Sequence, residues 1–367
     1  MKKNIAIIGS TGSIGRQTLE IVRANPATYK VIGLACGKNI GLLEKQIKEF
    51  NPGFVAVFDR GRAEILRGKM AGKKLKIFDG EAGLKKIAAL PQAQKIVFAS
   101  SGLAALNPLI YAIKANKEIA LANKEVIVAA GETIMKLARK NGVVIVPVDS
   151  EHSAVFQCLA GEDPANVEKI ILTCSGGPFY GKSRAELEKI TVEQALKHPV
   201  WKMGKEISLD SATLMNKAFE VIEAAYLFNL RPEQIEVIIH PECVVHSMVQ
   251  FRDGSIKALL TPPDMRYQIG YALSYPERAA TNLPRLDFNL LKKLTFFKPD
   301  YKIFPGPKLA FEALRAGGNQ PAALIYANHV ARLAFLNHEI SFGGIYPAIK
   351  KYYANIKNKA VNGELSI

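Results

Sequence analysis

Short apolar runs alternate with helix-length segments through the first part of the chain, at residues 4–8, 30–36, 54–58, 76–78, 95–99, 118–121 and 143–146. No other feature constrains the fold as tightly. A run that is apolar on successive residues is buried on both faces, and strands joined through a helix lie parallel. The pattern predicts an α/β fold built on a doubly wound parallel sheet. Ligands of such sheets bind beyond the carboxyl ends of the strands, so the residues that follow each run share one edge. Those residues are Gly9 to Gly15, Gly37-Lys38-Asn39, Ser100-Ser101-Gly102, Asn123-Lys124-Glu125 and Asp149-Ser150-Glu151-His152.

The first of these loops, Gly9-Ser10-Thr11-Gly12-Ser13-Ile14-Gly15, stands between a strand and the helical pattern that begins at Gln17. Strand, glycine loop and helix form a Rossmann-like dinucleotide setting. Glycines let the backbone approach a pyrophosphate, and the free N–H groups of the helix stabilise its charge. After the second strand an NAD site typically carries an acid for the ribose, whereas Lys38 suits the extra phosphate of NADP. Arg60 and Arg62, after the third strand, either assist or are surface charges. Asp149 to His152 offer two carboxylates, a hydroxyl and an imidazole directly after a strand. Alone they also fit an ordinary acidic turn. The convergence of the other loops on the same edge favours an active site.

At 367 residues the chain exceeds one typical core, and two or three domains are expected. Expected boundaries are a cofactor domain at 1–149, a catalytic domain at 150–274, a linker at 275–304 and a helical domain at 305–367. No stretch of eighteen apolar residues exists, which excludes a spanning helix, and no membrane partner is expected. Met1-Lys2-Lys3-Asn4 passes directly into a strand, leaving no room for a signal peptide, so a cytoplasmic address is expected. The formal charge of +16 fits either a nucleic-acid binder or a protein that attracts anionic phosphorylated ligands. Lysines scattered over helix faces, without an RNP motif or zinc-finger spacing, favour the second and argue against a nucleic-acid partner. Cys36, Cys158, Cys174 and Cys243 lie far apart without a CxxC pair, so reduced thiols are expected.

In the second half, the strand-like run 169–173 ends in Cys174-Ser175-Gly176-Gly177-Pro178, either a phosphate contact or a plain turn. The only tryptophan, Trp201, lies in His198-Pro199-Val200-Trp201-Lys202-Met203-Gly204, which has no regular periodicity. It reads as a lid over a ligand or as a packed junction. Across 208–225 the helical spacing puts Leu214, Ala218, Val221, Ile222 and Ala225 on one side and Asn216, Lys217 and Glu220 on the other, with Ser211 near the start. That polar side is either a site or a solvated face. Strands at 236–239, 244–251 and 255–260 follow, so an α+β catalytic domain is expected, and then a small helical C-terminal domain.

Six ordered motifs tie these pieces together: Gly9 to Gly15, Ala122-Asn123-Lys124-Glu125, Val148 to His152, Ser175-Gly176-Gly177-Pro178-Phe179, His198 to Trp201, and Asp210 to Lys217 with Glu220. In this order they resemble the 1-deoxy-D-xylulose 5-phosphate reductoisomerases, from the first residue through at least Arg266. The resemblance implies a homodimer that isomerises a phosphorylated ketose and reduces the product with NADPH to 2-C-methyl-D-erythritol 4-phosphate, in non-mevalonate isoprenoid synthesis. It implies a divalent metal on Asp149, Glu151 and Glu220. It also implies substrate contacts at Ser150, Ser175, His198, Ser211, Asn216 and Lys217 under a Trp201 lid, with Lys124 at the reactive hydroxyls. NADPH contacts are implied at Thr11, Gly12, Ser13, Ile14, Gly37, Lys38, Asn39, Asn123, Glu125 and Gly204. The residue chemistry agrees, since three carboxylates and no thiolate suit Mg²⁺ or Mn²⁺.

Departures from the family pattern are Tyr180, Lys202, the sequence Tyr326-Ala327-Asn328-His329 and an early end to the chain. Two other readings share the cofactor platform: an NADP-dependent semialdehyde or homoserine-type dehydrogenase, and a non-enzymatic NADP-sensing regulator. The dehydrogenase reading does not explain Asp149, Glu151 and Glu220 as a set.

Overall fold

A computed structural model describes residues 2–197 and 204–361, the last few of these by backbone alone. The chain divides into two compact units. The first comprises Met1–Val126, Glu132–Ser153 and Asp264–Pro284, and the second Ile127–Gly131, Ala154–Pro263 and Arg285–Ile367.

The first unit is built on the parallel sheet anticipated from the alternating runs. Its strands are β1 (Lys3–Ile8), β2 (Tyr29–Cys36), β3 (Phe54–Val57), β4 (Lys76–Asp79), β5 (Lys95–Phe98), β6 (Glu118–Leu121) and β7 (Ile145–Pro147). They lie in the order β4-β3-β2-β1-β5-β6-β7, every neighbouring pair parallel. Strand order reverses beside β1, so the crevice at the end of β1 is the natural ligand position. Gly9 takes φ +92, and a Cβ there would sit 2.4 Å from the Ser100 backbone nitrogen. A Cβ on Gly15 would sit 2.2 Å from the Gly9 carbonyl oxygen. The two glycines thus let the first helix, Ser13–Ala24, start hard against the strand end. The Arg266–Ser274 helix returns to this unit, and its last carbonyls, Ala272 and Leu273, accept from the Lys95 ammonium at 2.6 and 3.0 Å.

The second unit carries a mixed sheet of β8 (Val167–Cys174), β9 (Ile235–Ile239), β10 (Val245–Phe251) and β11 (Ile256–Leu260), in the order β11-β10-β8-β9. β8 pairs antiparallel with β10 and parallel with β9. The helices Met215–Phe228, Gly306–Ala316, Gln320–Leu336 and Ile345–Val361 complete this unit, with Leu172, Ala218, Ile222, Leu309, Leu324 and Ile349 among its buried core. Where the spacing predicts one helix over 208–225, there are two, Lys205–Ala212 and Met215–Phe228. They break at Leu214, which adopts a left-handed φ of 54°. The apolar repeat continues through the break because both helices bury the same kind of side chain, so spacing alone did not reveal it.

Candidate active site

In the first unit the sheet edge assembles as the strand ends require. Asn39 caps the next helix, its side chain accepting from the Leu42 amide at 3.1 Å, while Gly37 and Lys38 are exposed beside it. The Asn123 side chain is 1% exposed and wholly engaged: it donates to Ser100 O and Gly102 O, each at 2.8 Å, and accepts from the Val126 amide. Glu125 accepts from the Gly102 amide at 3.2 Å. These two side chains stitch the loop after β5 to the helix after β6, and so shape the edge facing the glycine loop. Ser10 and Gln46, which the sequence did not single out, are buried and joined by two hydrogen bonds of 2.8 and 2.9 Å. No local pattern marks such a pair, separated by 36 positions.

Beyond β7, Asp149 occupies the N-terminal end of the Ser150–Cys158 helix; its carbonyl accepts the Ser153 amide at 2.8 Å. The Lys124 ammonium lies 2.8 Å from the Asp149 carboxylate, and His152 Nδ1 lies 3.7 Å from the same oxygen. Burial alone would raise the Asp149 pKa, but Lys124 and His152 outweigh it and hold this carboxyl well below the usual carboxylate range. Asp149 is therefore an anion at neutral pH. The Ser150 hydroxyl donates to Glu151 Oε2 at 2.6 Å, so a second carboxylate lies at this helix end.

In the second unit the end of β8 gathers the remaining polar residues. Gly176 and Gly177 take φ of +84° and +73°, and a Cβ on Gly177 would lie 2.7 Å from Ser211 O. The glycine pair thereby lets the Ser175 turn lie against the end of the Lys205–Ala212 helix. Ser175 Oγ accepts from the Gly177 amide at 3.1 Å. One turn into the next helix, the Lys217 ammonium donates to Thr173 O at 2.5 Å and to the Glu220 carboxylate, which also accepts from the Asn216 amide. Lys217 and Glu220 are 2% and 1% exposed. The solvated-face reading of this helix is thus overturned: a lysine and a glutamate this deeply buried are held there only as a hydrogen-bonded pair. Thr173, also not singled out, anchors the arrangement, its hydroxyl 2.7 Å from Val245 O and 2.9 Å from His246 O.

The structure thus brings Lys124, Asp149, Ser150, Glu151 and His152 together in the first unit, and Ser175, Ser211, Asn216, Lys217 and Glu220 in the second. His198 and Trp201 lie outside the described residues; Gly204 begins the Lys205–Ala212 helix as its N-cap. No disulfide joins the four cysteines, and no helix among the described residues is long and apolar enough to cross a membrane.

Comparison with known proteins gives one consistent result. The family models for 1-deoxy-D-xylulose 5-phosphate reductoisomerase match residues 5–131, its C-terminal domain 145–228, and the DXP reductoisomerase C-terminal domain 260–365. A reductoisomerase of this kind from Thermodesulfovibrio yellowstonii is 50% identical over 349 residues, 95% of this chain and 91% of that protein. One from Lachnospira eligens is 48% identical over 99% of this chain and 96% of its own length. The enzyme from Zymomonas mobilis, solved in complex with NADPH, superposes with a TM-score of 0.91 at 38% identity, covering 97% of this chain and 92% of that one. A reductoisomerase solved with NADPH, fosmidomycin and magnesium gives 0.92 at 40% identity, covering 96% and 89%. The chain belongs to the 1-deoxy-D-xylulose 5-phosphate reductoisomerase family.

Proposed function

We propose that this protein isomerises 1-deoxy-D-xylulose 5-phosphate and reduces the product to 2-C-methyl-D-erythritol 4-phosphate, using NADPH and Mn²⁺ or Mg²⁺. The observation that carries this reading is the match of the chain, along nearly its whole length, to one family. It favours this reaction over the semialdehyde or homoserine-type dehydrogenase reading. A cytoplasmic homodimer is part of the proposal, to be read by sedimentation of the purified chain.

The NADPH contacts are Thr11, Gly12, Ser13, Ile14, Gly37, Lys38, Asn39, Asn123, Glu125 and Gly204. The glycine backbone and the start of the Ser13–Ala24 helix receive the pyrophosphate, and Lys38 receives the 2′-phosphate. The metal ligands are Asp149, Glu151 and Glu220. This donor set fits the group: Asp149 is held ionised by its neighbours, Glu220 is a buried carboxylate among hydrogen-bond donors, and all three offer hard oxygen. When bound, such an ion polarises a carbonyl and stabilises the charge that develops on it.

The chain's own residues do the rest. Lys124, whose ammonium lies beside Asp149, donates a hydrogen bond or relays a proton at the substrate hydroxyls, a role worth roughly 10²–10⁴-fold in rate. Ser150 and Glu151 orient the carbon chain. Ser175, Ser211, Asn216 and Lys217 hold the phosphate at the far end, so binding energy away from the reacting carbons aids their alignment. The same reading assigns His198 and Trp201, outside the described residues, to the substrate.

The test is the decay of NADPH absorbance on adding 1-deoxy-D-xylulose 5-phosphate and Mn²⁺, repeated with excess chelator. Decay that requires both sugar phosphate and metal is expected. Decay indifferent to chelator would remove the metal assignment, and no decay in folded, NADPH-binding protein would overturn the reaction.

A further inference from the structure

The corner between the Lys205–Ala212 and Met215–Phe228 helices carries Ser211 on one side and Asn216 and Lys217 on the other. Leu214, at its apex, holds a left-handed backbone that a leucine adopts only under constraint. A helix of eight residues is too short to fix itself, so the constraint must come from its packing partners. The C-terminal helices supply it. Asn328 Nδ2 donates to Asp210 Oδ1 at 2.8 Å, and Arg332 Nη1 donates to Asp210 Oδ2 at 2.7 Å. The other arm of the Arg332 guanidinium lies 3.0 Å from Glu206, in the first turn of the same helix. Tyr346 donates to Thr213 O and accepts from the Gly306 amide at 3.2 Å.

Glu206 and Asp210 are four residues apart, on one face of the helix, so a single planar guanidinium grips both its beginning and its end. The Arg332 side chain is 11% exposed and that of Asp210 9%, so the inner pair is shielded from water and from salt. Ser211 is bonded directly to Asp210. Any rotation or slide of the helix that Arg332 resists would displace the Ser211 hydroxyl and the corner from which Asn216 and Lys217 project.

We propose that Arg332 is a positioning residue for the phosphate end of the substrate, acting through Asp210 to set the place of Ser211 and of the 213–214 corner. The inference rests on the reading of Ser211, Asn216 and Lys217 as the phosphate holders. Arg332 itself touches no substrate. Because a misplacement of about 1 Å can cost up to about 100-fold, loosening one helix is enough to register in binding.

The experiment uses the full chain with saturating Mn²⁺ and compares Arg332→Met, Arg332→Lys and Ser211→Ala with the wild type. Four quantities are read: kcat, KM for the sugar phosphate, KM for NADPH, and the inhibition constant of inorganic phosphate. Arg332→Met is expected to raise the sugar-phosphate KM and the phosphate inhibition constant together, by about tenfold, while the NADPH KM stays within about twofold. Arg332→Lys keeps the charge but reaches one carboxylate at a time, and should recover part of the loss. Should Arg332→Met not fold, the lysine variant decides, with a rise of about threefold expected in the same two constants. If the folded arginine variants leave phosphate inhibition unchanged while Ser211→Ala weakens it, Arg332 is merely structural and this inference alone fails. If Ser211→Ala also leaves it unchanged, the phosphate reading fails and takes the inference with it.

Discussion

Lys95 shows how one side chain can tie a pH dependence to the fold. It is 1% exposed at the start of β5, with its ammonium bonded to the last carbonyls of the Arg266–Ser274 helix and 3.2 Å from Glu118. Burial pushes its pKa down to about 8, the nearby Lys3 charge adds to this, and Glu118 opposes it. Between that value and the ordinary 10.5 the unfolded chain binds more protons than the folded one, so this residue's contribution to stability rises with pH across the window. Below about 8 both states are charged and the folded state bears the cost of the buried ammonium in full. Comparing wild type with Lys95→Met in urea, the wild type should gain about 2 kcal/mol relative to the variant on going from pH ~7.5 to ~9.5. A stability difference that stays flat with pH would mean that Lys95 is hydrated in solution.

At the scale of the element, the glycine loop and the helix corner behaved differently as sequence signals. Gly9 to Gly15 was legible because a strand precedes it and a helix follows, and the geometry bears out the strand–loop–helix turn itself. A clash with the Gly9 carbonyl explains the third glycine: the backbone there cannot yield. Gly15→Ala should cost about 1–3 kcal/mol in stability and weaken NADPH binding, whereas Gly37→Ala, with no atom within 4 Å of the added methyl, should change stability by less than about 0.5 kcal/mol. Thermal unfolding and NADPH titration of the two variants check this; equal effects would show that the close approach at Gly15 relaxes. The corner at Leu214 was not legible, because an apolar repeat survives a bend that leaves both helices buried. The burial of Lys217 and Glu220 was equally hidden. Residue type argued for solvent, and the partners that help make the buried pair tolerable include the carbonyl of Thr173, 44 positions earlier, which no local pattern reveals. The tie from Asp210 to Arg332 spans 122 positions and has no local signature at all.

For the whole molecule, the order of motifs carried the family and the alternation carried the sheet, but the ligand set remains a proposal that thermodynamics can test apart from turnover. An ion that binds only the folded chain stabilises it by RT ln(1 + [L]/Kd), about 2.7 kcal/mol at a hundredfold excess over Kd. Mn²⁺ should therefore raise the midpoint of thermal unfolding of the wild type in a concentration-dependent way, and chelator should reverse it. Glu220→Gln keeps the shape of the side chain but replaces an anionic oxygen ligand with a neutral amide, so the Mn²⁺-dependent shift should largely vanish and metal-dependent turnover should fall at least about 100-fold. NADPH affinity should stay nearly intact, because the glycine loop belongs to the first unit and Glu220 to the second. Removing the charge also takes the ion-pair partner from the buried Lys217, so the variant's midpoint without metal must be measured first and used as its own reference. A full Mn²⁺ shift in Glu220→Gln would take this carboxylate out of the metal site, while a lost shift together with lost NADPH binding would mean that the substitution had damaged the fold rather than the site.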